Sequence, residues 1–131
     1  MSDIRYLHWK DFEWFCKYLL EHLGYERISV TSKGSHGSDG GIDITCYKDQ
    51  EKVLGQCKQW KNGSHGFLPS RVVMEHAGYM KLHNAKSGIL LTTLDMSSMD
   101  YEAAKKLDIK LIGKREIVET MKRLNPAFVT E

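Results

Sequence analysis

The sequence predicts a three-layer α/β sandwich, a mixed central β-sheet flanked by helices. Three observations carry this. A helical apolar stripe at residues 9–23 precedes strand-like runs at 27–31 and on either side of residues 49–50. Two later apolar runs, 88–93 and 109–112, each follow a helical stretch. Residues 49–50 leave room only for a tight turn, so the sheet is antiparallel around that hairpin and parallel after the crossovers.

Taken in order, Phe12, Phe15, Cys16, Leu19 and Leu23 recur at three- and four-residue steps along one stripe of the first helix. Glu13 falls about 100° from Phe12, at the edge of that stripe. There it can lean into a cleft beside the sheet or simply complement the helix dipole. Gly24 is placed to end the helix as its left-handed residue, and residues 27–31, rich in branched side chains, follow as a strand. Residues 32–41 hold four glycines and three serines, a loop opening directly onto the strand of Asp43. After the hairpin, residues 60–69 form a second glycine-containing loop with Trp60 and Phe67 at its ends. Ser70 is expected to cap a helix reaching about residue 83, with Val73, Ala77 and Met80 as its apolar face. Residues 88–93 suit a strand buried on both faces. Ser97 or Ser98 starts a helix to residue 107, residues 109–112 form a last strand, and Ile117, Val118, Met121 and Leu124 mark a terminal helix.

Composition agrees with one domain over residues 1–131. A 41% apolar and 27% charged chain can bury a core, which disfavours disorder. No apolar run approaches the roughly 18–20 residues that cross a bilayer, and Met1-Ser2-Asp3-Ile4-Arg5 lacks the pattern of a secretory signal, so a cytoplasmic location and no membrane partner are expected. Cys16, Cys46 and Cys57 are odd in number and widely spaced, which fits reduced, buried thiols better than a zinc site.

The chemistry concentrates in Gly40-Gly41-Ile42-Asp43-Ile44 and Gln56-Cys57-Lys58. Side chains alternate along a strand, and opposite residues of a hairpin share a face. A two-residue turn at Asp49-Gln50 pairs 48 with 51 and hence Asp43 with Gln56, leaving Lys58 two residues further along the same face, whereas an odd turn length would send Asp43 and Gln56 to opposite faces. The other face collects Ile42, Ile44, Val53 and Cys57. A carboxylate, an amide oxygen and an ammonium on one face suit a phosphodiester, which is anionic and gathers more charge as it is attacked. Hard oxygen donors suit Mg²⁺, with Mn²⁺ as substitute: Asp43, Gln56 and the backbone carbonyl of Cys57 are the candidate ligands. Lys58 would then orient or deprotonate the attacking water, or neutralise developing charge. Asp39 either assists the ion indirectly or stabilises its turn, and His36 reads as a surface residue.

Gly37-Ser38-Asp39-Gly40-Gly41-Ile42-Asp43-Ile44, followed by Gln56-Cys57-Lys58, closely resembles the Mrr-like branch of the restriction-endonuclease superfamily, the PD-(D/E)xK nucleases. The likeness extends to the first helix, through Phe12-Glu13, Leu19-Leu20 and Leu23-Gly24-Tyr25, and to the Gly78 helix and the strand ending Leu91-Thr92-Thr93. It implies a restriction-endonuclease-like fold, with Asp43 as central ligand, Gln56 where many relatives carry Glu, Lys58 as catalytic lysine and Glu13 as an extra ligand. Gln in place of Glu removes one negative charge, so weaker metal binding is expected.

A net charge of +2 does not announce a nucleic-acid binder. Lys48, Lys52, Lys58, Lys61 and Arg71 against Asp49 and Glu51 nevertheless leave a local excess of three positive charges around the hairpin. Lys48, Lys52, Trp60, Lys61 and Arg71 are therefore the candidate DNA contacts, Trp60 by stacking unless it caps the core. The expected function is a Mg²⁺-dependent DNA endonuclease of restriction or DNA processing. A junction-type resolvase is the alternative within that class, and a non-catalytic DNA-binding module the alternative outside it. Two symmetric cuts need two sites, so a homodimer is expected, and a separate recognition protein is a further candidate partner.

Overall fold

The computed structural model describes residues 9–32, 41–58 and 68–124, with side chains from residue 13 onward apart from those of residues 32, 41, 42 and 124. Among the described residues nine elements follow one another: α1 (Trp9–His22), β1 (Glu26–Ser32), β2 (Gly41–Lys48), β3 (Glu51–Lys58), α2 (Ser70–Leu82), β4 (Ser87–Thr92), α3 (Ser98–Lys106), β5 (Ile109–Ile112) and α4 (Lys114–Leu124). The five strands lie in the order β1-β2-β3-β4-β5. The β1-β2 and β2-β3 pairs are antiparallel, and β3-β4 and β4-β5 are parallel. This is the mixed sheet and α/β sandwich the sequence predicts.

Turn chemistry sets the frame. Asp49 and Gln50 both adopt left-handed backbone, φ 52° and 68°, the requirement of the mirror-image turn whose twist matches that of the flanking strands. Lys48 therefore faces Glu51, and the pairing runs without interruption to Gly41 opposite Lys58. Gly24, at φ 95°, closes α1: its N–H donates to the Glu21 carbonyl at 3.1 Å while the Tyr25 N–H reaches Leu20 at 3.1 Å. This paired closure satisfies two carbonyls that the helix end would leave open. Asn84, at φ 57°, closes α2 the same way, its N–H reaching Lys81 and that of Ala85 reaching Met80 at 2.9 Å. In β1 the register shifts between Glu26 and Ser29, and Arg27 within that irregularity has φ 50°.

Two apolar layers sandwich the sheet. On one face Cys16, Leu19 and Leu20 of α1 and Ile117 of α4 pack against Ile44, Cys46, Val53, Cys57, Ile89, Leu91 and Ile112. On the other, Val72, Val73 and Met80 of α2 and Ala104 of α3 cover Leu54, Leu90, Ile109 and Leu111. β4 is buried from Gly88 to Thr92, as a central parallel strand requires. In β5 Lys110 is exposed between buried Ile109 and Leu111. A charge on this last strand discourages pairing with another sheet. α2 departs from expectation at its start: Pro69 occupies the cap position without a side-chain bond, and Ser70 is the first helical residue. The Ser70 hydroxyl instead donates to Asp100 Oδ1 at 3.1 Å, tying the first turn of α2 to that of α3. Ser97 does cap α3, accepting from the Asp100 N–H at 3.2 Å.

Gly88 controls how closely α2 approaches the sheet. A Cβ there would stand 2.6 Å from Met80 Sδ, 2.9 Å from His76 Nε2 and 3.0 Å from the Leu54 carbonyl oxygen. Gly88→Ala is expected to lower stability by about 1–3 kcal/mol through overpacking, read as a lower urea midpoint at unchanged slope. An unchanged midpoint would show that the layer relaxes without cost.

Candidate active site

Asp43 and Gln56 are direct cross-strand partners, and Gln56 Nε2 donates to Asp43 Oδ1 at 3.2 Å. Both are partly buried, as is Lys58. Alternation along β3 puts Leu54, Gln56 and Lys58 on the face covered by α2, and Val53 and Cys57 on the face covered by α1. The structure thus brings Asp43, Gln56 and Lys58 to one face at one end of the hairpin, as the parity argument requires. Cys57 sits in both ladders, between Ile42 of β2 and Leu91 of β4.

One residue in contact with this group was not anticipated from the sequence. His76 of α2 is 1% exposed. Its Nε2 lies 2.9 Å from the Leu54 carbonyl oxygen, and its Nδ1 lies 3.4 Å from Gln56 Oε1. Burial lowers its pKa and the nearby Lys58 ammonium pushes the same way, against the opposing pull of the Leu54 carbonyl and the Asp43 carboxylate. A signal existed in the sequence: position 76 falls between Val73 and Met80 on the apolar stripe of α2. A histidine buried there needs polar partners from the sheet.

Glu13 is partly buried on α1. Its carboxylate lies close enough to Cys57 to help hold that thiol well above its usual range, after burial and the hydrogen bond with Cys16. Glu13 therefore belongs to the α1 layer, whereas Asp43 and Gln56 face α2. Among the described residues, no three His, Cys, Asp or Glu side chains gather as a metal-binding set. An ion here would rest on Asp43 with an amide and a backbone oxygen. Spacing is compatible with that: adjacent ligand oxygens of an octahedron with bonds of about 2.1 Å are about 3.0 Å apart, and the Asp43 and Gln56 side-chain tips are 3.2 Å apart.

The candidate DNA contacts separate. Lys48 and Lys52 lie beside the turn, five residues from Asp43 along β2 in the case of Lys48, or roughly 17 Å at 3.4 Å per residue. Lys48 Nζ reaches the Leu23 carbonyl at 3.4 Å and stands over the Tyr25 ring, and Lys52 Nζ reaches the His83 carbonyl at 3.5 Å. Lys52 near the end of α2 and Gln56 near its middle show that α2 runs antiparallel to β3. Arg71, in the first turn of α2, is thus at the Lys58 end; it is exposed and pairs with Glu75 at 3.6 Å. Trp60 and Lys61 lie outside the described residues, as do His36, Asp39 and Phe67.

The Mrr_cat family model, described as a restriction endonuclease, matches residues 4–121. No curated protein matches the chain in sequence. Among solved structures, the crystal structure of a protein of unknown function, AF1548, is similar with a TM-score of 0.56 and 19% identity, over 80% of this chain and 62% of that one. The chain spans 62% of the length of that protein, and the likeness is one of fold.

Behind the site, burial pushes the Cys46 thiol up to about 11 and holds Cys57 higher than its ordinary range. Both groups are protonated at pH 8, and only the thiolate reacts. Native protein at pH 8 is expected to leave Cys46 and Cys57 unmodified by a thiol reagent, and urea-unfolded protein to react fully. Rapid native modification of either would mean that the α1 layer is not closed over β3.

Proposed function

Because the chain belongs to the Mrr_cat restriction endonuclease family, a nuclease domain, we propose that it is a metal-dependent DNA endonuclease that hydrolyses phosphodiesters at Asp43, Gln56 and Lys58. The carrying observation is the direct cross-strand contact of Asp43 with Gln56 on the face that Lys58 shares. In this reading the Asp43 carboxylate, the Gln56 amide oxygen and the Cys57 carbonyl oxygen hold Mg²⁺ or Mn²⁺. A backbone carbonyl has two lone pairs, so one inside a ladder retains acceptor capacity. Glu13, carried on α1 at the other face of the sheet, would join the ligand set only by reaching round the end of the sheet beside Cys57. The bound ion supplies Lewis acidity and a more acidic water.

The protein's own groups do the rest. Asp43 contributes the negative charge that makes the site attractive to a cation. Lys58, two residues beyond Gln56, positions or deprotonates the water, or offsets the charge accumulating on the phosphate oxygens. Arg71 at the same end makes phosphate contacts that hold the duplex without reading its sequence. Lys48 and Lys52 extend that contact towards the turn, and Trp60 and Lys61, outside the described residues, are proposed as further DNA contacts. Cleavage of both strands calls for a second copy of the chain, and target choice rests on DNA shape, that copy or a separate recognition protein.

Plasmid and branched DNA incubated with Mg²⁺, Mn²⁺ or EDTA test this. Cleavage is expected with either ion and none with EDTA. Asp43→Ala is expected to lose both cleavage and Mn²⁺ binding, the latter read by calorimetry. Lys58→Ala is expected to lose cleavage by about 10²–10⁴-fold while keeping most Mn²⁺ affinity. DNA that is bound but never cut with any ion would assign the chain to the non-catalytic binding class, and cleavage confined to branched DNA would assign it to the resolvases.

A further inference from the structure

We propose that His76 is a positioning residue that turns the Gln56 amide so that its oxygen, rather than its nitrogen, faces the Asp43 carboxylate. The inference rests on the metal-binding role of Asp43 and Gln56 set out above. A carboxylate at position 56 would present an oxygen whichever way it turned. An amide presents an oxygen only in one of its two orientations, so a site built on Gln needs a device that selects it.

The contacts around Gln56 supply that device. In the structure Gln56 Nε2 donates to Asp43 Oδ1 at 3.2 Å, which turns Oε1 towards His76 Nδ1 at 3.4 Å. His76 Nε2 lies 2.9 Å from the Leu54 carbonyl oxygen, which can only accept. A neutral ring that donates its Nε2–H to Leu54 has a lone pair at Nδ1. That lone pair repels Oε1 but accepts from an amide N–H. A half-turn of the amide group satisfies it: Nε2–H then points at His76, and Oε1 stands beside Asp43 Oδ1. Two oxygens 3.2 Å apart with no hydrogen between them form no bond. They become a favourable pair when a cation lies against both. The ring therefore favours the amide orientation that a cation needs, while the Asp43 carboxylate alone favours the other.

His76 is itself held in place. It is buried to 1% exposure, and Gly88 beneath it leaves no room for a side chain within 2.9 Å of Nε2. Its two nitrogens thus address β3 at two levels, the Leu54 backbone and the Gln56 side chain.

A double-mutant cycle read by Mn²⁺ calorimetry tests the assignment, using His76→Leu, Gln56→Glu and their combination, each checked for folding by circular dichroism. His76→Leu is expected to weaken Mn²⁺ binding about 10–100-fold, and to do so by less than about threefold in the Gln56→Glu background, where no amide needs turning. Equal losses in both backgrounds would overturn the proposal in favour of a purely structural role, as would unchanged binding by His76→Leu. Nitrogen-15 NMR of the unsubstituted protein with saturating Mg²⁺ decides the matter independently of how the variants fold. It is expected to show His76 protonated at Nε2 and bare at Nδ1, and a proton on Nδ1 would overturn the proposal. Wild-type protein that binds neither ion would remove the metal-site reading itself, an outcome distinct from binding that is indifferent to His76.

Discussion

The constraint on which the rest depends is the register of the β2-β3 hairpin. Strand side chains alternate with a period of two, so a shift of one residue would send Asp43 and Gln56 to opposite faces. Asp49 and Gln50 fix that register by accepting left-handed backbone at two successive positions. Neither is glycine, so the turn is held against local preference, and the eight-residue ladder that follows supplies the stabilisation. From this pairing follow the thiol-rich face turned to α1 and the polar end turned to α2.

The two faces of the sheet have different dielectric character, and the chemistry follows that division. The α1 face is apolar, with Cys16, Cys46 and Cys57 fully buried among aliphatic side chains. The α2 face begins equally apolar at Leu54 but becomes polar within two residues, where Gln56 meets His76. Gly88 allows the helix to sit close enough for a short side chain such as imidazole to bridge the layers. The Leu54 carbonyl, the His76 ring, the Gln56 amide and the Asp43 carboxylate form one chain of contacts, and such a network is stabilising only when every member is satisfied, which here turns on the orientation of the amide.

Much of this was legible before any coordinates. Hydrophobic patterning, branched residues and turn signals located the nine elements of the described residues, and counting residues around a two-residue turn placed Asp43 opposite Gln56. Gly24 ended α1 because glycine enters left-handed backbone without a Cβ penalty. What escaped depended on contacts between distant segments. Ser70 read as a cap because its local neighbours allow it, yet its hydroxyl finds Asp100 thirty residues away. His76 went unremarked because its polar partners belong to another layer. The lysines near residues 48–52 read as one patch with the site because they are close in sequence; an extended strand carries them to its far end. Whether Trp60 and Lys61 join that surface lies outside the described residues.

The direction of α2 has an electrical consequence. The crossover from β3 to β4 returns the helix antiparallel to the strands, so its first turn lies at the Lys58 end. That turn contains no acidic residue and starts with Ser70 and Arg71. The peptide dipoles of α2 therefore sum to a partial positive pole where the carboxyl ends of the parallel strands emerge. An anion meets a favourable local potential there, although the whole chain carries a net charge of only +2.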